Sequence, residues 1–145
     1  MDLVHCIYCS ASATTEFDPA GLQTLLDECR RNNAKLGITG MLLFQNGSFF
    51  QVLEGERTVV VALFEKIAAD KRHTRVTKVI LEPIEERAFG AWTMGYPRIS
   101  ARELAEIPGL NDFFTRGRSY LELGEGRAKT LLAAFKEGRW RTTLS

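Results

Sequence analysis

Three polar side chains stand out because the predicted elements place them among apolar residues. Gln51 shares one face of a predicted strand with Phe49 and Leu53, and a buried amide is costly unless it is hydrogen-bonded. Tyr8, on a predicted strand of the same sheet, could supply a phenol, and Asn33 at the end of the first predicted helix could supply a second amide. Together these groups could line a ligand-binding slot between the helices. The alternative is a polar cluster that satisfies itself within the core.

Other residues with chemical potential favour structural roles. Cys6 and Cys9 form a CxxC motif, but positions i and i+3 of a strand face opposite sides, so two buried cysteines are favoured over a redox pair or metal site. His5 and His73 are the only histidines, and neither has the spacing of a metal site or a catalytic triad. The GxxG motif at residues 37–40 runs directly into a predicted strand, which favours a tight turn over an RNA-binding loop.

Composition indicates one globular domain with a short appendage. The 145 residues are 45% hydrophobic and 26% charged, with a net charge of +1, which argues against global disorder and against a strong field for nucleic acid or membrane. No apolar run approaches the roughly 20 residues needed to span a bilayer. Three cysteines and an N-terminus without a basic region predict a cytoplasmic protein with reduced thiols.

The elements that must position these residues follow a β-α-β-β-α-β-β order. Apolar alternation predicts the strands, the i, i+3, i+4 stripes predict the helices, and Asn46-Gly47 predicts a hairpin turn. Right-handed crossovers place both helices on one face of the sheet, so we expect an α+β, ferredoxin-like sandwich with five strands. The predicted strands are 3–10, 38–44, 48–54, 76–82 and 92–99, and the predicted helices are 19–31 and 58–70.

The C-terminal region is predicted to add helices that cover the other face of the sheet or serve as a partner surface. A short helical turn is expected at 102–107, and a second stripe consists of Ala128, Leu131, Leu132 and Phe135. We therefore divide the chain into a domain at 1–100 and a helical extension at 101–145.

The sequence resembles a BLUF domain, the blue-light sensor that uses flavin. The resemblance covers residues 1 to about 100 in the family's order and spacing, and the C-terminal region is similar to the helices of short, stand-alone BLUF proteins. The matching stretches are 3–10 with Tyr8, NNAKLGITGMLLF at 32–44, FFQVLEGE at 49–56, DKRH at 70–73 and RAFGAWTMG at 87–95.

The resemblance implies roles for several residues around a flavin ring inserted between the two helices. Tyr8 would donate an electron to the excited flavin, and Gln51 would lie between Tyr8 and the ring. Asn33 would hydrogen-bond the ring's carbonyl and imide edge, and Asn32 would contact the ring beside it. FAD is the expected flavin, with FMN or riboflavin as alternatives.

The resemblance also implies an apolar lining and a signal relay. Leu25, Leu26 and Ile67 occupy positions where family members line the pocket. Trp92 and Met94 match a pair on the fifth strand that can exchange places near the glutamine, and the sequence does not decide which of them is closer to the flavin.

The function implied is a photoreceptor rather than an enzyme. Light would rearrange the hydrogen bonds around Gln51 and give a reversible, red-shifted state that is passed to a partner protein, by rotation or by tautomerisation of the amide. We expect a homo-oligomer with no membrane or nucleic-acid role. Two alternatives are a light-insensitive ferredoxin-like interaction module and an acylphosphatase-like enzyme, which needs an anion-binding arginine after the first strand, whereas residues 11–17 contain Glu16 and no Arg or Gly.

Overall fold

The computed structural model describes residues 2–12, 19–45, 48–70, 73–90, 92–96, 102–103, 106–107 and 124–137. The strands are β1 (Leu3–Ser12), β2 (Thr39–Gln45), β3 (Ser48–Glu56) and β4 (His73–Pro83). The helices are α1 (Pro19–Leu36), α2 (Arg57–Ala69) and α3 (Glu125–Glu137).

The four strands form one antiparallel sheet in the order β2-β3-β1-β4. The predicted hairpin joins β2 to β3, with Gln45 paired to Ser48, although residues 46–47 lie outside the described residues. In the centre of the sheet, Tyr8 of β1 lies directly opposite Gln51 of β3. The α+β, ferredoxin-like architecture predicted from the sequence is therefore confirmed.

Both faces of β1 are buried, as its two apolar faces predict. Val4, Cys6 and Tyr8 belong to a cluster beneath α1 and α2, which we call the helical face of the sheet. Ile7 and Cys9 belong to a second cluster on the opposite face. The two cysteines of the CxxC motif therefore point away from each other, and the interpretation as buried cysteines is confirmed.

Helix α1 continues beyond its predicted end at residue 31. Asn32 and Asn33, expected to end the helix, lie inside it, and the helix ends at Leu36 before Gly37, whose φ is +68°. Asparagine disfavours helices because its side chain competes for nearby backbone groups. The side chain of Asn33 is engaged elsewhere, since its Nδ2 donates to the carbonyl oxygen of Thr93 at 2.7 Å.

Helix α2 begins one residue before the predicted cap at Thr58. Its N-cap is Glu56, whose carboxylate accepts hydrogen bonds from the backbone N–H groups of Thr58 and Val59 at 3.0 and 3.3 Å. The hydrogen bond from the Thr58 hydroxyl is the main cause that lowers the pKa of the Glu56 carboxyl. A capping carboxylate at this position also complements the helix dipole.

The prediction of a fifth strand at 92–99 is wrong for the part of it that the structure describes. Residues 92–96 run beside β2 and form one isolated parallel bridge, between Met41 and Gly95. The carbonyl of Thr93, which a continued ladder would direct at β2, accepts instead from Asn33 of α1. The sheet has four strands in the described residues because this carbonyl turns toward the helix.

The opposite face of the sheet is covered by α3, as the C-terminal stripe predicts. Ala128, Leu131 and Phe135 are fully buried there, and Leu132 packs against the same cluster. Ile107, from the partly described segment 102–107, is also buried in this cluster.

The GxxG motif has the structural role predicted for it. Gly40 begins β2 at a close approach to β3, where an added Cβ would lie 1.8 Å from the carbonyl oxygen of Val52. Only glycine fits at such a distance.

Candidate functional site

A cavity of about 530 Å³ lies between α1 and α2 on the helical face of the sheet. This volume lies in the usual range for a small-molecule site. Eight of its eighteen lining residues are aliphatic and four are charged, and phenol and amide groups reach it from the strands and from the end of α1. The lining residues are Tyr8, Leu25, Glu28, Cys29, Asn32, Asn33, Lys35, Leu36, Leu42, Gln51, Leu53, Thr58, Val59, Ala62, Leu63, Lys66, Ile67 and Asp70.

Two of the predicted residues are joined by a hydrogen bond at the floor of the cavity. The hydroxyl of Tyr8 donates to Oε1 of Gln51, and both residues are buried. This bond follows from the sheet register, because the two residues are directly opposite on adjacent strands. The other end of the amide faces a weak partner, since Nε2 of Gln51 donates to Sδ of Met94 at 3.3 Å.

The environment of Tyr8 keeps its phenol protonated. Burial raises the pKa of Tyr8 well above the ordinary value, and the nearby thiol of Cys29 adds to the rise. The ring is held by an edge contact with Phe64 of α2, with centroids 5.5 Å apart. A neutral, rigidly held phenol with its proton directed at one amide oxygen is suited to losing an electron and a proton together.

Asn33 presents an amide acceptor to the cavity. The residue is 3% exposed, and its Nδ2 is occupied by the carbonyl of Thr93. Its Oδ1 has no hydrogen-bond partner among the described residues. A buried amide oxygen without a partner is costly, so a ligand N–H donor is the expected complement. Asn32, the adjacent residue of α1, also lines the cavity but is exposed.

The apolar and relay residues predicted from the resemblance divide into two groups. Leu25 and Ile67 line the cavity, whereas Leu26 is buried in the neighbouring core cluster without lining it. Met94 is buried on the helical face beside Gln51, and Trp92 packs against the cluster on the opposite face.

Several lining residues were missed from the sequence, although helical spacing could have found them. Cys29 lies four residues from Leu25 and from Asn33 on α1, so all three share one face. The same spacing along α2 places Val59 and Leu63 beside Ile67, where they also line the cavity. The sequence feature that could have predicted these residues is the helical period, because residues four positions from a known lining residue lie on the same face of the helix.

The remaining reactive groups of the described residues lie apart from this cavity or form no site. Burial raises the pKa of the Cys6 thiol to about 11 and that of Cys9 to about 12. No cluster of His, Cys, Asp and Glu within the described residues could hold a metal ion. Among the helices that the structure describes, none has the length and apolar character needed to cross a membrane.

Comparison with known proteins identifies the family. The model of the family described as BLUF, sensors of blue-light using FAD, matches residues 3–95. The chain is 41% identical over 109 residues to photoactivated adenylate cyclase subunit beta of Euglena longa. The matched region covers 73% of this chain and 12% of that protein. The chain thus spans about an eighth of the length of that curated relative.

Solved structures of similar length also match. BlsA in its photo-activated state has a TM-score of 0.81 and 30% identity, covering 95% of this chain and 97% of that one. The dark-state structure of BlrB, a BLUF protein, has a TM-score of 0.67 and 32% identity, covering 92% of this chain and 97% of that one. The chain therefore belongs to the BLUF family, the sensors of blue light using FAD.

Proposed function

We propose that this protein binds FAD between α1 and α2 and works as a reversible blue-light sensor. The observation that carries the proposal is the hydrogen bond from Tyr8 to Gln51 at the floor of the 530 Å³ cavity. A core does not need a polar phenol–amide pair at the edge of a ligand cavity. The same pair is well suited to moving an electron and a proton. FMN and riboflavin carry the same ring and are alternative ligands.

The groups that line the cavity fit the ring of a flavin. Aliphatic side chains such as Leu25, Leu63 and Ile67 supply two apolar walls for an aromatic plate. The partnerless Oδ1 of Asn33 would accept from the imide N–H of the ring. The Nε2 group of Gln51 carries two hydrogens but has only a thioether as a described partner, so it would donate to a ring acceptor.

The mechanism assigns one role to each residue of the switch. A bound flavin that has absorbed blue light supplies an acceptor strong enough to oxidise a nearby phenol. Tyr8 gives up the electron, and its hydroxyl proton passes to the amide oxygen of Gln51, which already accepts the hydrogen bond. The amide of Gln51 would then change which groups it donates to, by rotation or by tautomerisation, and an electron and a proton would return to the Tyr8 oxygen, so that the tyrosine and its acceptor regain their starting oxidation states. Met94 is the neighbour that responds, because its sulfur contacts the end of the amide that changes.

The output is a protein contact rather than a chemical product. The BLUF domain is a sensor domain, and some relatives carry it in photoactivated adenylate cyclases. We propose that this chain is not itself an enzyme and that it passes its signal through residues 92–96 and the C-terminal extension to a partner protein, as a homo-oligomer. None of its three cysteines forms a disulfide, which agrees with a reducing, cytoplasmic compartment.

The test is the visible spectrum of the purified protein in darkness and after blue light. We expect flavin bands that shift slightly to the red and return in the dark. Tyr8→Phe should retain flavin and lose the reversible shift, and Gln51→Ala should lose it as well. Thr77→Val is the matched control, since it also removes one hydroxyl but at an exposed position of β4 outside the cavity lining, and its shift should be normal.

Each result separates the alternatives. A normal red shift in Tyr8→Phe would remove Tyr8 from the mechanism. A protein that cannot be loaded with flavin would support the light-insensitive interaction module instead. Bound flavin without any shift in the wild type would indicate a retained pocket without a switch.

A further inference from the structure

Residues 92–96 are held against the sheet by side chains of α1 as well as by β2. Nε of Arg30 donates to the backbone carbonyl oxygen of Met94 at 2.9 Å. Nδ2 of Asn33 donates to the preceding carbonyl, that of Thr93, at 2.7 Å. Helix α1, which forms one wall of the cavity, is therefore bonded to the two peptide carbonyls that flank Met94.

The partner of Arg30 is unusual for a guanidinium. The side chain is half-buried, and no carboxylate among the described residues lies within ion-pair distance of it. Its only hydrogen bond within the described residues is thus the one to the Met94 carbonyl. A charged donor makes a stronger bond to a carbonyl than a neutral donor does. The side chain of Arg30 therefore does more than face the solvent, because it bonds the main chain of another segment.

The side chain of the same methionine contacts the amide of the proposed switch. Sδ of Met94 accepts from Nε2 of Gln51 at 3.3 Å. On the other side, the adjacent Gly95 donates to Gly40 at 2.9 Å and accepts from the backbone N–H of Leu42 at 2.8 Å. Met94 thus lies between a helix side chain and one isolated β-bridge, with its sulfur on Gln51.

We propose that Arg30 is a positioning residue that holds Met94 against Gln51 and thereby sets how long the light state lasts. This inference rests on the proposed function. Without Arg30 the carbonyl of Met94 loses its donor, and Met94 is held only through its neighbours, by the bonds from Asn33 to Thr93 and from Gly95 to Gly40, so its side chain moves more easily. The sulfur then leaves Nε2 of Gln51. The Arg30 bond exists in the state in which Met94 lies beside Gln51. Its loss therefore destabilises this state relative to the light state, in which Met94 has moved.

The first measurement is amide hydrogen exchange of the flavin-loaded protein in darkness, which needs no light response. In Arg30→Met, we expect the amides of Leu42 and Gly95 to exchange about tenfold faster, the change expected for loss of one hydrogen bond to a charged group. Arg31→Met is the matched control, because it removes the same charge from the next residue, which is exposed. Exchange in this control should equal that of the wild type.

The second measurement is the rate of dark recovery after blue light. We expect Arg30→Met to recover about threefold more slowly, since part of the missing bond would have formed on the way back, and Arg31→Met to recover normally. Arg30→Lys keeps the charge and a donor on a different geometry, so its recovery should fall between those of the wild type and Arg30→Met.

The two measurements separate this inference from the proposed function. Unchanged exchange at Leu42 and Gly95 in Arg30→Met would overturn the positioning role whether or not the protein responds to light. Faster exchange with unchanged or faster recovery would show that Arg30 holds the segment without setting the light state, which also overturns the proposal. If Arg30→Met does not fold, the same criteria apply to Arg30→Lys.

Discussion

Glu54 is a fully buried carboxylate, and its replacement by glutamine tests how the segment before residues 92–96 is held. Its Oε2 accepts from the backbone N–H of Ala88 at 2.6 Å, and its Oε1 accepts from Phe89 N–H at 3.0 Å and from the Thr39 hydroxyl at 2.8 Å. Arg87 adds bonds to the Thr39 hydroxyl and to the carbonyl of Glu54. The carboxylate thus anchors the segment 87–89 to β3.

The size of the effect follows from the geometry of these bonds. Glutamine has the same shape, but one of its two ends donates. Its least costly orientation keeps the amide oxygen on Ala88 and turns the amide nitrogen toward the Thr39 hydroxyl, which can accept. Phe89 N–H then loses its 3.0 Å partner and keeps only its 3.3 Å contact with the other oxygen, and every remaining bond loses the charge. At about 1.5–3 kcal/mol for a hydrogen bond to a charged group, the loss should be about 2–4 kcal/mol.

The assay is chemical denaturation followed by circular dichroism, with Glu85→Gln as the control. Glu85 is exposed and lies just before the same segment, so its replacement should change the free energy of unfolding by less than about 0.5 kcal/mol. A loss of about 2–4 kcal/mol is a large fraction of the stability of a typical domain. If Glu54→Gln behaved like the control, the bonds from Ala88 and Phe89 would not hold this segment, and the reasoning would be wrong.

Three further predictions concern the pocket, the sheet cover and acid stability. In flavin-free protein, a thiol reagent near pH 8 should label only Cys29, which lines the cavity, and bound flavin should protect this thiol. The raised pKa values of Cys6 and Cys9 keep these thiols protonated. Rapid labelling of either one would therefore contradict the described burial. Phe135→Ala should lower the free energy of unfolding by about 3–5 kcal/mol, measured by denaturation, because α3 covers the sheet with this buried ring. The hydrogen bond from His5 is the main cause that lowers the pKa of the Glu82 carboxyl. The stability that the Glu82 carboxylate contributes is therefore present above the ordinary glutamate pKa and is lost as the pH falls through the lowered value. Acid titration of Glu82→Gln should therefore show a smaller loss than the wild type, and the difference should be modest because Glu82 is largely solvated.

The sheet and its two helices could be predicted from the sequence because local signals agree there. Apolar alternation in β1 and β3 and the stripes of α1 and α2 point to the same layers that the structure has. The fifth strand could not be predicted correctly, because the carbonyl of Thr93 is bonded by Asn33, about 60 residues earlier in the chain. The same contact explains why α1 continues past its asparagines. Both errors have one long-range cause that periodicity does not report.

The candidate site divides in the same way. Gln51 was found because an amide between apolar neighbours violates the pattern of its strand, and such a local violation is visible in the sequence. Whether Trp92 or Met94 lies beside it was not predictable, because the two residues face opposite sides of an edge that is not a regular strand. Arg30 gave no signal, since a charged residue on an amphipathic helix looks like an ordinary solvated position.

The two ends of the Gln51 amide have hydrogen-bond partners of unequal strength, and this inequality would give the proposed switch a direction. On one side is Tyr8, whose position is fixed by the central strand pairing β1–β3. On the other side is the sulfur of Met94, a weak acceptor on a segment joined to β2 by one isolated bridge and by a 3.2 Å bond from Gly40 N–H to the carbonyl of Trp92. A reorientation of the amide therefore disturbs the sheet least where Met94 moves. Under the proposed mechanism, the bonds from α1 to this segment set how easily Met94 moves, so the exchange rate at Gly95 is expected to report on the proposed switch even in darkness.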